Sequence, residues 1–245
     1  MKTYVKNSGL WKLAKALYVR SGGIWKPAKK GFIRNAGVWK PFFNGDPAAV
    51  SLLTSAFDNA DLSTYSLAFG PTAADCLVVV GFGCRHTTPR TITGVTVAGI
   101  AATAVTELEG SGGTSAAMYV VEVPASTSGN AVVTLSGPAV RGSIGLWAIT
   151  AYQSAAATDV KTAADTLNPS VTCTVQDGGV IVGVGYFSSA AAGTWSGITE
   201  DYDQTVEGPN GASGASGAFA TGQNVVVTRS DTGTTEERLI VASFR

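Results

Sequence analysis

The residues of this chain best suited to chemistry are few, and their spacing says which reactions they would support. Its single histidine, His86, lies in Cys84-Arg85-His86-Thr87-Thr88-Pro89-Arg90, two positions after a cysteine. A thiol beside an imidazole can serve as a nucleophile when the base keeps it deprotonated. Such a pair needs a third group to orient the ring, and none can be named in this stretch. The simpler expectation is a surface loop carrying a solvated imidazole. The densest acids are Glu200-Asp201-Tyr202-Asp203, with Glu207 just beyond. Clustered carboxylates can hold Ca²⁺, but this spacing is not that of a calcium loop. Strand alternation puts Asp201 and Asp203 on one face and Glu200 and Tyr202 on the other, as on a solvated edge strand. Cys76 and Cys84 lie on one extended run, too far apart to bridge at ~3.3 Å per residue. With Cys173 they read as buried small apolar residues, without the clustering of a zinc site. The sequence therefore assigns no catalytic residue, no metal and no cofactor, and its expectation is a protein that is not an enzyme.

The elements that would carry such residues are strands. The chain has 245 residues, 45% hydrophobic and 14% charged, with 30 glycines. That is too apolar for disorder and too finely divided by Gly, Ser and Thr for a helical protein. Met1 to Lys6 are followed by no apolar run of signal-peptide length, and no stretch approaches the ~20 apolar residues of a membrane span. Neither secretion by that route nor membrane insertion is expected.

A net charge of zero hides a division. Residues 1–45 hold eight Lys and two Arg with no acid, +10, while the remaining seven basic residues face seventeen acids, −10. The boundary falls at Asn44-Gly45-Asp46-Pro47, a turn-like linker.

Within residues 1–45, Trp11, Trp25 and Trp39 recur with a period of 14. The copies run from Tyr4 to Lys12, Tyr18 to Lys26 and Phe32 to Lys40, each with an aromatic, a β-branched residue, a base, then Gly, an aliphatic residue, Trp and Lys. Gly9, Gly23 and Gly37 close the turns, as in a three-residue hairpin loop ending at positive φ. A lone hairpin is marginal in water, so the rings of Tyr4, Trp11, Tyr18, Trp25, Phe32 and Trp39 are expected to stack between hairpins. That ladder serves either assembly of several copies or only the core of a small β unit. Bases interleaved with aromatics also suit single-stranded nucleic acid. The strict period is better explained by alternating buried and solvated faces, and no nucleic-acid partner is expected.

From residue 46 onward, apolar runs alternate with turn residues. The clearest are Leu77 to Phe82, Ile92 to Val97, Ala117 to Val123, Ala131 to Leu135, Ile144 to Thr150, Val180 to Phe187, Trp195 to Tyr202, Asn224 to Thr228 and Arg238 to Phe244. They predict an all-β fold, a jelly-roll-like β-sandwich over 46–245 preceded by the small hairpin module of 1–45. The order of runs repeats at an offset drifting from about 100 residues to the low nineties, suggesting two five-stranded sets facing each other. Glycines in Val80-Gly81-Phe82-Gly83 and Val182-Gly183-Val184-Gly185-Tyr186 leave a bare face, which Trp147 and Trp195 are expected to cover. Glu207 to Gly217 reads as a small, flexible loop.

The repeats, as in Tyr18-Val19-Arg20-Ser21-Gly22-Gly23-Ile24-Trp25-Lys26, resemble those of tail-fibre and other appendage proteins of tailed bacteriophages. The stretch Gly94 to Thr103 is similar to β domains of phage virion proteins. The resemblance implies a virion structural protein, often trimeric, that meets other virion proteins and contacts a host surface glycan. Rival expectations are a capsid-decorating, head or collar fibre protein and a carbohydrate-binding module.

Overall fold

The computed structural model describes residues 46–109, 113–164, 167–188, 193–206, 210–232 and 237–245, together with the backbone of six short strands between residues 4 and 44. The described residues form strands and turns, with no helix among them. The six N-terminal strands are β1 (Tyr4–Asn7), β2 (Leu10–Leu13), β3 (Tyr18–Ser21), β4 (Ile24–Pro27), β5 (Lys30–Asn35) and β6 (Val38–Asn44), paired in order as three antiparallel hairpins.

Seventeen further strands build four sheets. The first half contributes β7 (Ala49–Asp58), β8 (Leu62–Phe69), β9 (Cys76–Arg85), β10 (Ile92–Val97), β11 (Ile100–Ala101), β12 (Thr103–Glu109), β13 (Thr114–Val123), β14 (Gly129–Ala139) and β15 (Arg141–Thr150). The second half contributes β16 (Asp159–Ala164), β17 (Ser170–Val175), β18 (Gly179–Phe187), β19 (Thr194–Ser196), β20 (Thr199–Val206), β21 (Asn210–Phe219), β22 (Gln223–Ser230) and β23 (Glu237–Phe244). The five-stranded sheet of the first half has the order β12-β13-β9-β15-β7, and that of the second has β20-β21-β18-β23-β16. Position for position these are the same arrangement. The smaller sheets match too, as β10-β14-β8 with β11 added at the edge and as β19-β22-β17.

Each half follows jelly-roll logic. The first strand pairs with the last, the second with the one before it and the third with the next inward: β7–β15, β8–β14, β9–β13, then β16–β23, β17–β22, β18–β21. Only the innermost pair departs, since β12 and β20 stay beside β13 and β21. Even a β-bulge is repeated, between Ala104 and Thr106 on β12 and between Glu200 and Tyr202 on β20.

Alternation within the strands builds three apolar layers from two faces per central strand. On β9, Val78, Val80 and Phe82 face the small sheet of their own half, while Leu77 and Val79 face the other half. On β18, Ile181 faces its own small sheet, with Val180, Val182, Val184 and Tyr186 turned to the first half. The order is thus small sheet, large sheet, large sheet, small sheet. The two similar sets expected from the sequence do face each other, through their five-stranded sheets, and each is backed by a smaller sheet of its own. Contact is symmetric under exchange of halves: β12 meets β16, and their counterparts β20 and β7 meet each other.

The shared bulge aligns Gly81 with Val184 and Gly83 with Tyr186. Those counterparts touch. A Cβ on Gly81 would lie 2.5 Å from Val184 Cγ2, and one on Gly83 2.7 Å from Tyr186 Cβ. Two identical faces would bring Tyr against Tyr or Gly against Gly. Here a ring on one side enters the gap on the other, which two unlike copies on one chain permit.

Glycine-rich strands need large neighbours, and the expected fillers are in place. Trp147, fully buried, covers Gly81 and Gly214, and the Trp195 ring lies on Gly183. The expected flexible loop is in large part a strand. Described from Asn210 onward, β21 is buried over Asn210–Ser216 and pairs with β18 along its length, so its Gly, Ala and Ser accept the rings of Trp147, Tyr202 and Phe187.

Candidate functional site

In the arm, strand register sets each tryptophan opposite a base: Trp11 opposite Lys6, Trp25 opposite Arg20 and Trp39 opposite Arg34. Tyr4 stands opposite Leu13, Tyr18 opposite Pro27 and Phe32 opposite Pro41. Asn7 pairs with Leu10, Ser21 with Ile24 and Asn35 with Val38, leaving two residues between the strands of each hairpin in place of the expected three. Gly9, Gly23 and Gly37, and the side chains of the six aromatics, lie outside the described residues.

The second sandwich holds a buried ionic cluster. Matching Asn130-Ala131-Val132-Val133-Thr134 of β14 to Asn224-Val225-Val226-Val227-Thr228 of β22 puts Arg229 where the first half has Leu135. Leu135 packs in an apolar layer with Phe82, whose counterpart on β18 is Gly185. Losing that ring opens room for a longer side chain, and Arg229 Cδ lies 3.2 Å from where a Gly185 Cβ would be. At 1% exposure the guanidinium must be paired. Arg229 Nη1 donates to Asp231 Oδ2 at 2.7 Å, Glu237 Oε2 stands 3.5 Å away, and Nε donates to Ser213 Oγ at 3.1 Å. Its plane covers Phe187 at 3.3 Å from the ring centre. The Trp195 indole N–H donates to the same Ser213 hydroxyl at 3.1 Å.

Two carboxylates facing one guanidinium in a dry site leave an excess negative charge. Burial pushes the Glu237 carboxyl up to about 7, outweighing the attraction of Arg229, with Asp231 adding to the rise. Asp203 also lies above its ordinary range through burial, although it accepts the Gly193 N–H at 2.5 Å. Nothing local in the sequence marks this cluster; comparison of the two N-x-V-V-T segments does.

The acids on β20 depart from simple alternation. The bulge turns Asp201 and Tyr202 both toward the seam between the halves, where Asp201 Oδ2 accepts the Trp147 indole N–H at 2.7 Å and Tyr202 packs on the Trp147 ring. Asp203 points instead toward Gly193. Among the described residues no group of three His, Cys, Asp or Glu is disposed to hold a metal.

His86 is buried, not solvated. Its Nε2 lies 2.8 Å from Ser115 Oγ, and burial lowers its basicity. Cys84 lies in the apolar layer, where burial pushes its thiol up to about 12, opposite to what a nucleophile requires. All three cysteines are free and buried, as expected.

Where β12 and β16 meet, an open groove of about 560 Å³ has an apolar lining that includes Val105, Val120, Ala157 and Val160. Glu122 on its rim accepts the Tyr152 hydroxyl at 2.9 Å. Comparison of the chain with models of protein families, with curated proteins and with solved structures finds no match.

Proposed function

We propose that this chain is a structural protein of a bacteriophage virion, a tail fibre or similar appendage, assembled through residues 1–45 and presenting the sandwich pair toward the host surface. The observation that carries this reading is the arm: one hairpin unit three times over, with Trp opposite a base each time, in a segment of charge +10. Short two-stranded units gain stability by stacking on others, so a basic, aromatic series of them favours association. The sandwiches, whose large hydrophobic faces are already covered by one another, support a display role. The likeness of the repeats to phage appendage proteins points the same way. A homotrimer is the assembly proposed.

Light scattering on the full chain over a wide concentration range tests this. The expected mass is a multiple of the 24.9 kDa chain, three-fold for the trimer. A mass of one chain at every concentration would rule the proposal out.

A further inference from the structure

At one end of the seam the two large sheets bring together positive charge and unpaired donors. Thr114, Arg85 and Arg141 stand side by side on β13, β9 and β15, in direct register. They face the second half, because Gly83, two residues before Arg85 on the same strand face, contacts Tyr186. Opposite them, Tyr186 and Arg238 are register partners on β18 and β23. Asn210, at the start of β21, turns its Oδ1 to Arg85 Nη1 at 3.2 Å.

Like charges directly opposite on neighbouring strands are destabilising, and buried polar atoms normally have partners. Both rules are broken here together. Among the described residues no carboxylate forms an ion pair with Arg85 or Arg141. Arg141 Nε, Asn210 Nδ2, the Tyr186 hydroxyl and the Thr114 hydroxyl are all buried without a hydrogen-bond partner, and Tyr186, Asn210 and Thr114 are fully buried. Each can donate a hydrogen bond. Burial raises the Tyr186 phenol above its usual range, and the positive field of Arg141 and Arg85 opposes that rise. Arg85 and Arg141 are themselves only half-buried, so the cluster is reachable from solvent.

We propose that this end of the seam is a binding site for a small oxyanion of the phosphate or sulfate class. Guanidinium forks and the O–H and N–H donors at the same end of the seam match the oxygens of such an anion, and its charge removes the repulsion between Arg85 and Arg141. The bound anion joins the two sandwiches, since its ligands come from both. The site is separate from the arm and does not rest on the assembly reading.

Titration calorimetry of the full chain with inorganic phosphate tests the site, with sodium chloride at matched ionic strength as the control. Expected is saturable binding of one phosphate per chain, with a melting temperature raised beyond the chloride control. Tyr186→Phe keeps the ring packed on Gly83 and removes only the hydroxyl; it should weaken binding about tenfold, the usual loss for a hydrogen bond to a charged group. Arg141→Gln should weaken it more strongly. Absence of saturable binding by the native chain overturns the proposal, as does equal phosphate affinity in the native chain and Tyr186→Phe. The second comparison stands even if Arg141→Gln fails to fold.

Discussion

Replacing Gly83 by alanine should cost at least about 3 kcal/mol, lowering the melting temperature by roughly 6 to 12 °C for a chain of this size. Gly→Ala in a strand usually stabilises slightly, because it restricts the unfolded chain. The sign reverses here. A Cβ at this position would lie 2.5 Å from Tyr186 Cδ2, 2.7 Å from its Cβ and 2.8 Å from its Cγ. The Tyr186 Cβ cannot swing away on a side-chain torsion, so relief requires separating the two large sheets. Gly94→Ala is the control: no heavy atom lies within 4 Å of its added methyl, and the change should stay within about 0.5 kcal/mol. Urea unfolding of both variants checks the prediction. Equal stability of the two would mean that the halves do not meet as described.

A second large effect is expected from pH. Glu237 titrates near 4.5 when unfolded and at about 7 in the folded chain, raised chiefly by burial. The folded state then binds more protons than the unfolded state between those values. Its stabilising contribution is complete below about pH 4.5 and is lost as pH rises through about 7, a change of about 3 kcal/mol. Glu237→Gln keeps the shape and removes the titration. This variant should lose most of the decline in stability between pH 5 and 8 and be the more stable protein at pH 8. Asp203 and Glu200, also raised by burial, and His86, lowered by it, remain, so a slope left in the variant comes from groups of that kind. An unchanged slope would remove Glu237 as its source.

Both effects arise in places the sequence describes incompletely. Strands such as β9, β15, β18 and β23 are legible because Val, Ile and Leu alternate with small residues between clear turns. β21 is not, since Asn210-Gly211-Ala212-Ser213-Gly214-Ala215-Ser216-Gly217 contains no β-branched residue and local propensity reads it as a loop. Its strand character comes from Trp147, Tyr202 and Phe187, which need a flat surface to cover. The doubled order of elements is visible in sequence, but two matched pairs slip, the first because the run Trp195 to Asp201, set against Ile92 to Gly99, breaks at Gly197 into β19 and β20. Apolar runs alone set Ala218 to Thr221 against Met118 to Val123, while the strand matching β13 begins at Asn210. The bulge at Asp201 escapes alternation because one extra residue reverses the faces beyond it. Arg229 sits in a strand pattern that gives no hint of burial, and only the leucine at its counterpart marks the position as core. In the arm the period of 14 is plain, while the two-residue spacing of its turns emerges only from the register.

The charge division carries the functional reading further than any single side chain. An arm of +10 without one acid is poorly suited to packing on copies of itself by charge alone, so aromatic stacking or an acidic partner must offset the repulsion. The rest of the chain, at −10, carries the opposite sign.

Association through the arm is tested most directly by measuring the solution mass of the chain lacking residues 1–45 beside that of the full chain. Assembly by stacked hairpins predicts a single-chain mass and one cooperative unfolding transition for the shortened protein, with a multimer only when the arm is present. A shortened protein that still assembles to the same stoichiometry would contradict it.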